Sequence, residues 1–266
     1  MARVLVPALV IGITALGLLV QGCGGGAPLL HGAHALGPGQ TANGVGFSST
    51  FTTGAPREAV DAARGTGPSA NRLETQARAG AVAAAMAPTV APWVGARIGI
   101  PGDNEAGLSF TGRALRVDAR HAFESGSVAL SIGAGGSMIW RGVDPVGAGA
   151  STLFHVRSGY GFDVPLLVGW RSDAGVVSIW GGARAGIETI GAWASTPSFP
   201  MMLVADIDLL RRYVGGVAGL SMGLRHVHVA LELDVLYQAV SGNLADLAVK
   251  VDGVTLSPAG ALIFTF

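Results

Sequence analysis

Apolar and polar side chains alternate along the chain from about residue 92 onward. The clearest run covers residues 226–239, where Val229, Leu231 and Leu233 lie on an apolar face and Glu232 and Asp234 lie on the opposite face. Successive side chains of a strand point to opposite faces of the sheet, so this period of two predicts strands. Eight strands are predicted, at residues 94–100, 108–120, 127–140, 160–170, 176–190, 210–224, 227–239 and 257–266.

The second predicted strand changes parity in its middle. Leu108 and Phe110 occupy even positions, whereas Leu115 and Val117 occupy odd positions. An extra residue in one strand shifts the following side chains to the other face. The pattern therefore predicts a β-bulge near Gly112.

Composition favours a membrane protein that is not helical. Hydrophobic residues make up 50% of the chain and charged residues only 13%, where a soluble domain carries about 25% charged residues. The 42 glycines are unusual for a helical membrane protein, and strands use glycine at bends and bulges. The formal net charge of zero argues against a nucleic-acid partner. A single cysteine excludes an intramolecular disulfide bond.

The first residues have the pattern of an export signal. Arg3 precedes an uncharged apolar run that extends to Val20, and Gly22 precedes Cys23. This end resembles the bacterial lipobox, which implies cleavage before Cys23 and a diacylglycerol group on its sulfur. An uncleaved anchor helix with an incidental cysteine is the alternative. We expect a signal peptide at residues 1–22, a flexible tether at 23–90 and a barrel at 91–266. Within the tether, Asn71 and Glu74 form a capping box that predicts a helix over Arg72–Met86.

Three features distinguish a membrane barrel from a soluble sheet. The predicted connections around residues 125, 173 and 225 are short, and those at 142–159, 191–208 and 240–256 are long, while 101–107 forms a modest loop on the long side. Outer-membrane barrels pair short periplasmic turns with long external loops. Aromatic residues are predicted at both ends of the apolar faces, as two girdles would be: Trp140, Tyr160, Tyr237, Trp170 and Phe266.

The third feature is the last strand, in which Leu262, Phe264 and Phe266 share a face and the given sequence stops at Phe266. It resembles the terminal strand of Gram-negative outer-membrane barrels. That resemblance implies recognition by the barrel-assembly machinery through Phe266, contact with outer-membrane lipids, external long loops and periplasmic N- and C-termini. The predicted fold class is an all-β, up-and-down antiparallel transmembrane barrel of about eight strands, or ten if residues 201–210 form a separate strand.

Charged residues on the polar faces predict an ion-pair network inside the barrel, which would make the barrel a plugged body. The candidates are Arg97, Asp118, Arg120, Asp163, Arg184, Arg211, Arg225, Glu232 and Asp234. Arg184 and Glu188 are interpreted as a further lumen pair and not as an acid–base couple.

No catalytic, cofactor or metal site is predicted. His226 and His228 have strand spacing that a metal site would also use, but a polar turn edge explains them. His155 and Ser158 lack a surrounding nucleophile elbow, and no histidine–serine constellation matches that of small barrels that modify lipid A. We expect a structural or surface-interaction role. A narrow channel or small-ligand carrier is the alternative, and an envelope enzyme or a lipid-anchored, lipocalin-like soluble barrel comes after it.

Overall fold

The computed structural model describes residues 26–64, 72–139, 153–195, 204–244 and 247–266. These residues form eleven strands and two helices. The strands are β1 (Thr41–Ser49), β2 (Phe51–Thr52), β3 (Val90–Ile100), β4 (Asn104–Phe110), β5 (Ala114–Ser125), β6 (Val128–Ile139), β7 (Leu153–Arg171), β8 (Val177–Ser195), β9 (Val204–Leu224), β10 (Val227–Leu244) and β11 (Leu247–Thr265), and the helices are α1 (Ala55–Arg64) and α2 (Arg72–Met86).

The sheet closes into an antiparallel barrel. Each strand from β3 to β11 pairs with the next, and β1 pairs with both β3 and β11. At the closure, the Thr41 amide donates to the Phe266 carbonyl at 2.9 Å and the Phe266 amide donates back at 2.8 Å. Ten described strands therefore form the wall, and the short β2 adds a pairing to β11. The predicted fold class is confirmed.

The predicted count of about eight strands is too low. The prediction of a flexible tether at residues 23–90 was also wrong in part. Residues 41–49, assigned to the tether, form a wall strand whose large outward side chains are Val45 and Phe47. This strand carries too few large apolar residues for its period to stand out. The helix predicted over Arg72–Met86 is present at those bounds, whereas α1 was not predicted.

The parity change near Gly112 is a hairpin turn and not a bulge. Gly112 has a φ of 72°, and the Thr111 amide donates to the Ala114 carbonyl at 3.0 Å. The predicted second strand is thus two strands, β4 and β5. This extra reversal also moves the turn at residues 101–103 to the short-turn end of the barrel, opposite to the side predicted for it. Residues 204–224 form one strand, so no separate strand occurs at 204–210.

The outward face is apolar over a band and polar beyond it on one side. Val229, Leu231 and Leu233 are 48%, 50% and 42% exposed, which confirms the predicted outward face of β10. Tyr160 and Tyr237 point outward at the long-loop edge of this band, and Trp170 points outward at the short-turn edge. Trp140 lies outside the described residues. Strands β7 to β11 continue beyond the band, so they are longer than predicted; we call this extension the tall wall.

Inward-facing glycines make room for large lumen side chains. A Cβ atom on Gly95 would lie 2.5 Å from the Trp93 ring, and one on Gly219 would overlap the Trp180 ring. The Tyr213 ring occupies the corresponding space over Gly186. The high glycine content thus follows from packing the interior, in addition to the bends proposed from sequence. Among the described helices, neither is long and apolar enough to cross a membrane.

Candidate functional site, the occluded lumen

Buried charges form a layer across the middle of the lumen, which we call the ionic band. Its members lie on inward faces of strands from β3 to β10, apart from Arg113 in the turn between β4 and β5. They are Arg97, Glu105, Arg113, Arg116, Asp118, Arg120, Asp163, Arg184, Glu188, Arg211, Glu232 and Asp234.

Asp163 is the central acceptor of this band. Arg116 Nε donates to Asp163 Oδ1 at 2.9 Å, and Arg184 Nε donates to Asp163 Oδ2 at 3.0 Å. The Asp163 residue is 3% exposed. Because both oxygens accept from guanidinium groups, two buried cations depend on this one carboxylate.

A second cluster lies closer to the short-turn end. Arg97 Nη2 donates to Asp118 Oδ2 at 2.6 Å, and its Nε hydrogen-bonds to Glu105. Arg120 Nη2 donates to Glu105 Oε2 at 2.8 Å, while Arg116 Nη1 donates to Asp118 Oδ1 at 2.6 Å. The last contact links the two clusters into one network.

The long-loop end of the lumen is closed by α1 and α2, which together we call the helical cap. Alanines of α2 pack against inward apolar residues of the tall wall, including Ile190, Leu209 and Val240. Arg113 donates to the Ala84 carbonyl at 2.7 Å and to the Ala85 carbonyl at 3.1 Å. A cation on the last carbonyls of a helix stabilises its C-terminal end. The ionic band thereby also fixes the helical cap.

The lumen below the helical cap is filled by residues 26–40, which we call the N-terminal plug. Its side chains Leu29, Leu30 and Ala33 pack in one buried cluster with Trp93 and Trp180. Its main chain is bound by polar groups of wall residues. The plug was assigned to the flexible tether in the sequence interpretation, so its place inside the barrel was not predicted.

His31 is a buried titratable group of the plug. Its Nδ1 lies 3.2 Å from the Gly32 carbonyl of the same segment. The Nε2 atom of His31 has no hydrogen-bond partner among the described residues.

Cavities remain around these fillings. A void of about 40 Å³ lies between the N-terminal plug, the helical cap and the ionic band. A vestibule of about 490 Å³ opens at the short-turn end, and it is lined by Trp93, Trp180 and His228 among others. A groove of about 780 Å³ follows the tall wall past Thr189, Asn243 and Lys250.

The structure brings together most of the predicted lumen charges. Arg225 is the exception, because it lies exposed in the turn between β9 and β10. Arg184 and Glu188 both face the lumen but bond to different partners: Glu188 accepts from Arg211 at 2.7 Å, and Arg184 bonds to Asp163.

Three charged members of the band were not singled out from the sequence: Glu105, Arg113 and Arg116. Arg116 alternates with Leu115 and Val117, so its inward face was readable. The inward faces of Glu105 and Arg113 could not be read from the sequence, because Glu105 was assigned to a loop and Arg113 to a bulged strand.

Among the described residues, neither His226 nor His228 belongs to a cluster of metal-ligating side chains. His226 is exposed, its Nδ1 lies 2.8 Å from the Thr265 carbonyl, and its ring stacks near Phe266 with centroids 6.0 Å apart. His228 is half-buried on the inward face. Among the described residues, no group of three metal-ligating side chains occurs. Cys23 and the side chain of His155 lie outside what the structure describes, so lipidation and the His155–Ser158 pairing are untested.

No family model matches the sequence, and no curated protein matches it. Three similar solved structures are barrels of low identity. The attachment invasion locus protein Ail of Yersinia pestis is 11% identical, with a TM-score of 0.29 over 86% of this chain and 99% of that chain. A major outer membrane protein of Thermus thermophilus is 10% identical, with a TM-score of 0.33 over 85% and 99%. The toluene transporter TbuX of Ralstonia pickettii is 9% identical, with a TM-score of 0.35 over 86% and 90%. Likenesses this weak carry no argument about function, which therefore depends on the geometry of the barrel.

Proposed function

We propose that this chain is an occluded outer-membrane barrel with a structural or surface-interaction role. The observation that carries the proposal is the combination of an apolar outer band with a filled, charged lumen. A closed barrel satisfies every ladder hydrogen bond without water, which is what a lipid environment requires. A soluble, lipocalin-like barrel would have the reverse arrangement, with a polar outside and an apolar interior.

The filled lumen argues against the alternative of a narrow channel. The N-terminal plug passes through the ionic band, the helical cap lies beyond them towards the long loops, and the void between the three measures about 40 Å³. A void of this size holds only a few water molecules, so a fully hydrated ion or a metabolite does not fit in it. The outward polar residues of the tall wall, with its groove of about 780 Å³, offer the surface that an interaction role requires.

Electrical recording in planar lipid bilayers tests the occlusion. We expect no steady conductance from the full-length protein at moderate voltage. A variant of an outward residue, such as Val229→Ala, is the control and is also expected to be silent. Reproducible open-channel steps from the full-length protein would contradict the proposal and favour the channel.

Labelling on whole cells tests the location and the orientation. In a Cys23→Ser background, single cysteines at Asn243 in the tall wall and at Asp173 in a short turn report the two ends of the barrel. With the tall wall outside, an impermeant maleimide labels Asn243→Cys and spares Asp173→Cys. Labelling of Asp173→Cys alone would invert the topology, and labelling of neither in a membrane fraction would contradict surface exposure.

Lipidation of Cys23 is part of the proposal, and it requires the upper end of the plug to move. Ser48 Oγ donates to the Gly26 carbonyl at 3.1 Å, near the long-loop end of β1. Three residues span at most about 11 Å, so Gly26 must leave these contacts for an anchor at Cys23 to enter the leaflet at the short-turn end. Mass spectrometry of the mature N-terminus decides whether Cys23 carries acyl chains. An unmodified N-terminus at another residue would refute lipidation and leave the plug in place.

A further inference from the structure

The N-terminal plug runs along the whole height of β1 inside the lumen. At its upper end, Gly26 contacts Ser48, which is next to the last residue of β1. At its lower end, the Gly39 amide donates to the Gly99 carbonyl at 2.9 Å, close to the turn that follows β3. The plug therefore passes as a single segment through the ionic band, antiparallel to the strand that follows it.

Carboxylates of the wall bind amide groups of the plug. The Leu29 and Leu30 amides donate to Glu232 Oε1 and Oε2 at 2.6 and 2.8 Å. The Ala35 amide donates to Glu124 Oε1 at 2.8 Å, and the Leu36 amide donates to Glu105 Oε2 at 2.9 Å. Two adjacent pairs of main-chain donors, Leu29–Leu30 and Ala35–Leu36, are thus matched by carboxyl groups on three different strands.

Guanidinium groups of the wall bind carbonyl groups of the plug. Arg184 Nη1 donates to the Ala27 carbonyl at 2.5 Å. Arg120 Nη2 donates to the His34 carbonyl at 2.8 Å, and Arg120 Nη1 also donates to the Gly32 carbonyl. Both arginines belong to the ionic band, so the same charges that pair across the lumen also hold the peptide.

The polar recognition is directed at the main chain. Every wall contact named above uses an amide or a carbonyl of the plug. Every residue supplies a backbone carbonyl, and every residue except proline supplies a backbone amide hydrogen. The plug side chains contribute apolar packing, and the His31 ring bonds within the plug itself. Both carboxyl oxygens of Glu232 accept plug amides, and Glu232 is 4% exposed, so water competes little for these hydrogen bonds.

We propose that the lumen is a binding site for an extended peptide, recognised through its main chain, and that residues 26–40 are its resident ligand. The chemical class of ligand is a segment with small or apolar side chains and free amide groups at the positions of Leu29 and Leu30. The site depends on the barrel and its charges, and it does not depend on the outer-membrane location proposed above. A labelling result that contradicts the outer-membrane location would therefore leave it intact.

A nicked barrel tests this site in the full chain. A recognition sequence for a specific protease is inserted between Pro38 and Gly39, which are both exposed, in a Cys23→Ser background. The protein is folded first and then cut, so that the upstream fragment is held only by non-covalent contacts. We expect the fragment to co-elute with the barrel on size exclusion in detergent. Immediate loss of the fragment after cutting would overturn the proposal.

Synthetic peptides then distinguish main-chain recognition from side-chain packing. A peptide of residues 26–38 is expected to displace the resident fragment. N-methylation at Leu29 and Leu30 removes the two donors to Glu232 and keeps both side chains, and we expect at least about tenfold weaker displacement. The matched control is N-methylation at Gly37, whose amide donates to Gln40 at 3.0 Å outside the lumen. Equal displacement by all three peptides would overturn main-chain recognition.

A wall variant provides the reciprocal test. Glu232→Gln replaces one of the two oxygens that accept from the plug with an amide NH₂ donor, and the nicked variant is expected to release its fragment at least about tenfold faster. Glu188→Gln is the matched control, because Glu188 is also a buried lumen carboxylate but accepts from Arg211. Equal release from both variants would contradict the role of Glu232. If Glu232→Gln does not fold, the N-methylated peptides still test main-chain recognition, because that experiment uses the barrel without a wall substitution.

Discussion

A charge placed on the apolar band gives a sharp test of the barrel's two faces. Leu231 is 50% exposed and points outward near the middle of the apolar run of β10. Asn243 lies on the same strand and the same outward face, twelve positions further towards the long-loop end, where it is also exposed. Both positions accept a long side chain without a clash in the lumen.

The cost of arginine at these two positions depends on depth in the bilayer. An arginine on the lipid-facing surface costs about 2–4 kcal/mol at the bilayer midplane and about 0–1 kcal/mol near the interface. Leu231→Arg is expected to lower the free energy of unfolding by about 2–4 kcal/mol, and Asn243→Arg by about 1 kcal/mol or less. The difference arises because the guanidinium at 231 must leave water, whereas the one at 243 remains in it.

Urea unfolding in liposomes measures both variants on the same scale. Tryptophan fluorescence follows the transition, and the wild-type protein supplies the reference curve. An equal effect of the two substitutions, or a larger effect at Asn243, would show that the apolar band does not face lipid. A loss at Leu231 that persists in a detergent of short chain length would instead indicate a packing defect.

Two further matched pairs test the interior. Asp163→Asn leaves two buried guanidinium groups without their shared carboxylate and is expected to lower the free energy of unfolding by about 3–5 kcal/mol. Asp234→Asn should lower the free energy of unfolding clearly less in the same urea titration. Asp234 Oδ2 lies 3.4 Å from Arg184 Nη1, and Asp234 Oδ1 has no partner among the described residues. Equal losses of unfolding free energy in the two variants would contradict this ranking. Gly219→Ala forces a Cβ into the space of the Trp180 ring and is expected to destabilise by about 1–3 kcal/mol. Gly136→Ala has open space around its Cβ and should be near neutral by thermal unfolding, so similar melting temperatures for both alanine variants would refute the close packing.

The amino-acid sequence determined the faces of the long strands. Val229, Leu231 and Leu233 point outward as predicted, because the period of two is a local property of each strand. The helix over residues 72–86 was readable for the same reason, since its capping residues and helix-forming alanines are adjacent in the chain. The closed barrel was predicted from these faces. A sheet with an apolar outer surface in lipid must close, because an open edge would leave backbone groups without hydrogen-bond partners.

Tertiary structure alone decided which weak segments join the wall. Strand β1 has few large apolar residues, and it is a strand because β3 and β11 supply its hydrogen-bond partners on both sides. The turn at Gly112 was ambiguous from sequence, since a bulge and a hairpin both change parity. Pairing of β4 with β5 decides between them, and with it the strand count and the side of every earlier turn.

The segment that fills the lumen was the feature least predictable from local sequence. The Leu29 amide and its acceptor Glu232 are separated by 203 residues, and nothing in the composition of residues 26–40 marks that segment as part of the interior. A main chain offers the same amide and carbonyl groups whatever its sequence. Only the folded barrel, which brings charges from separate strands to one axis, determines that this segment is bound and where it lies.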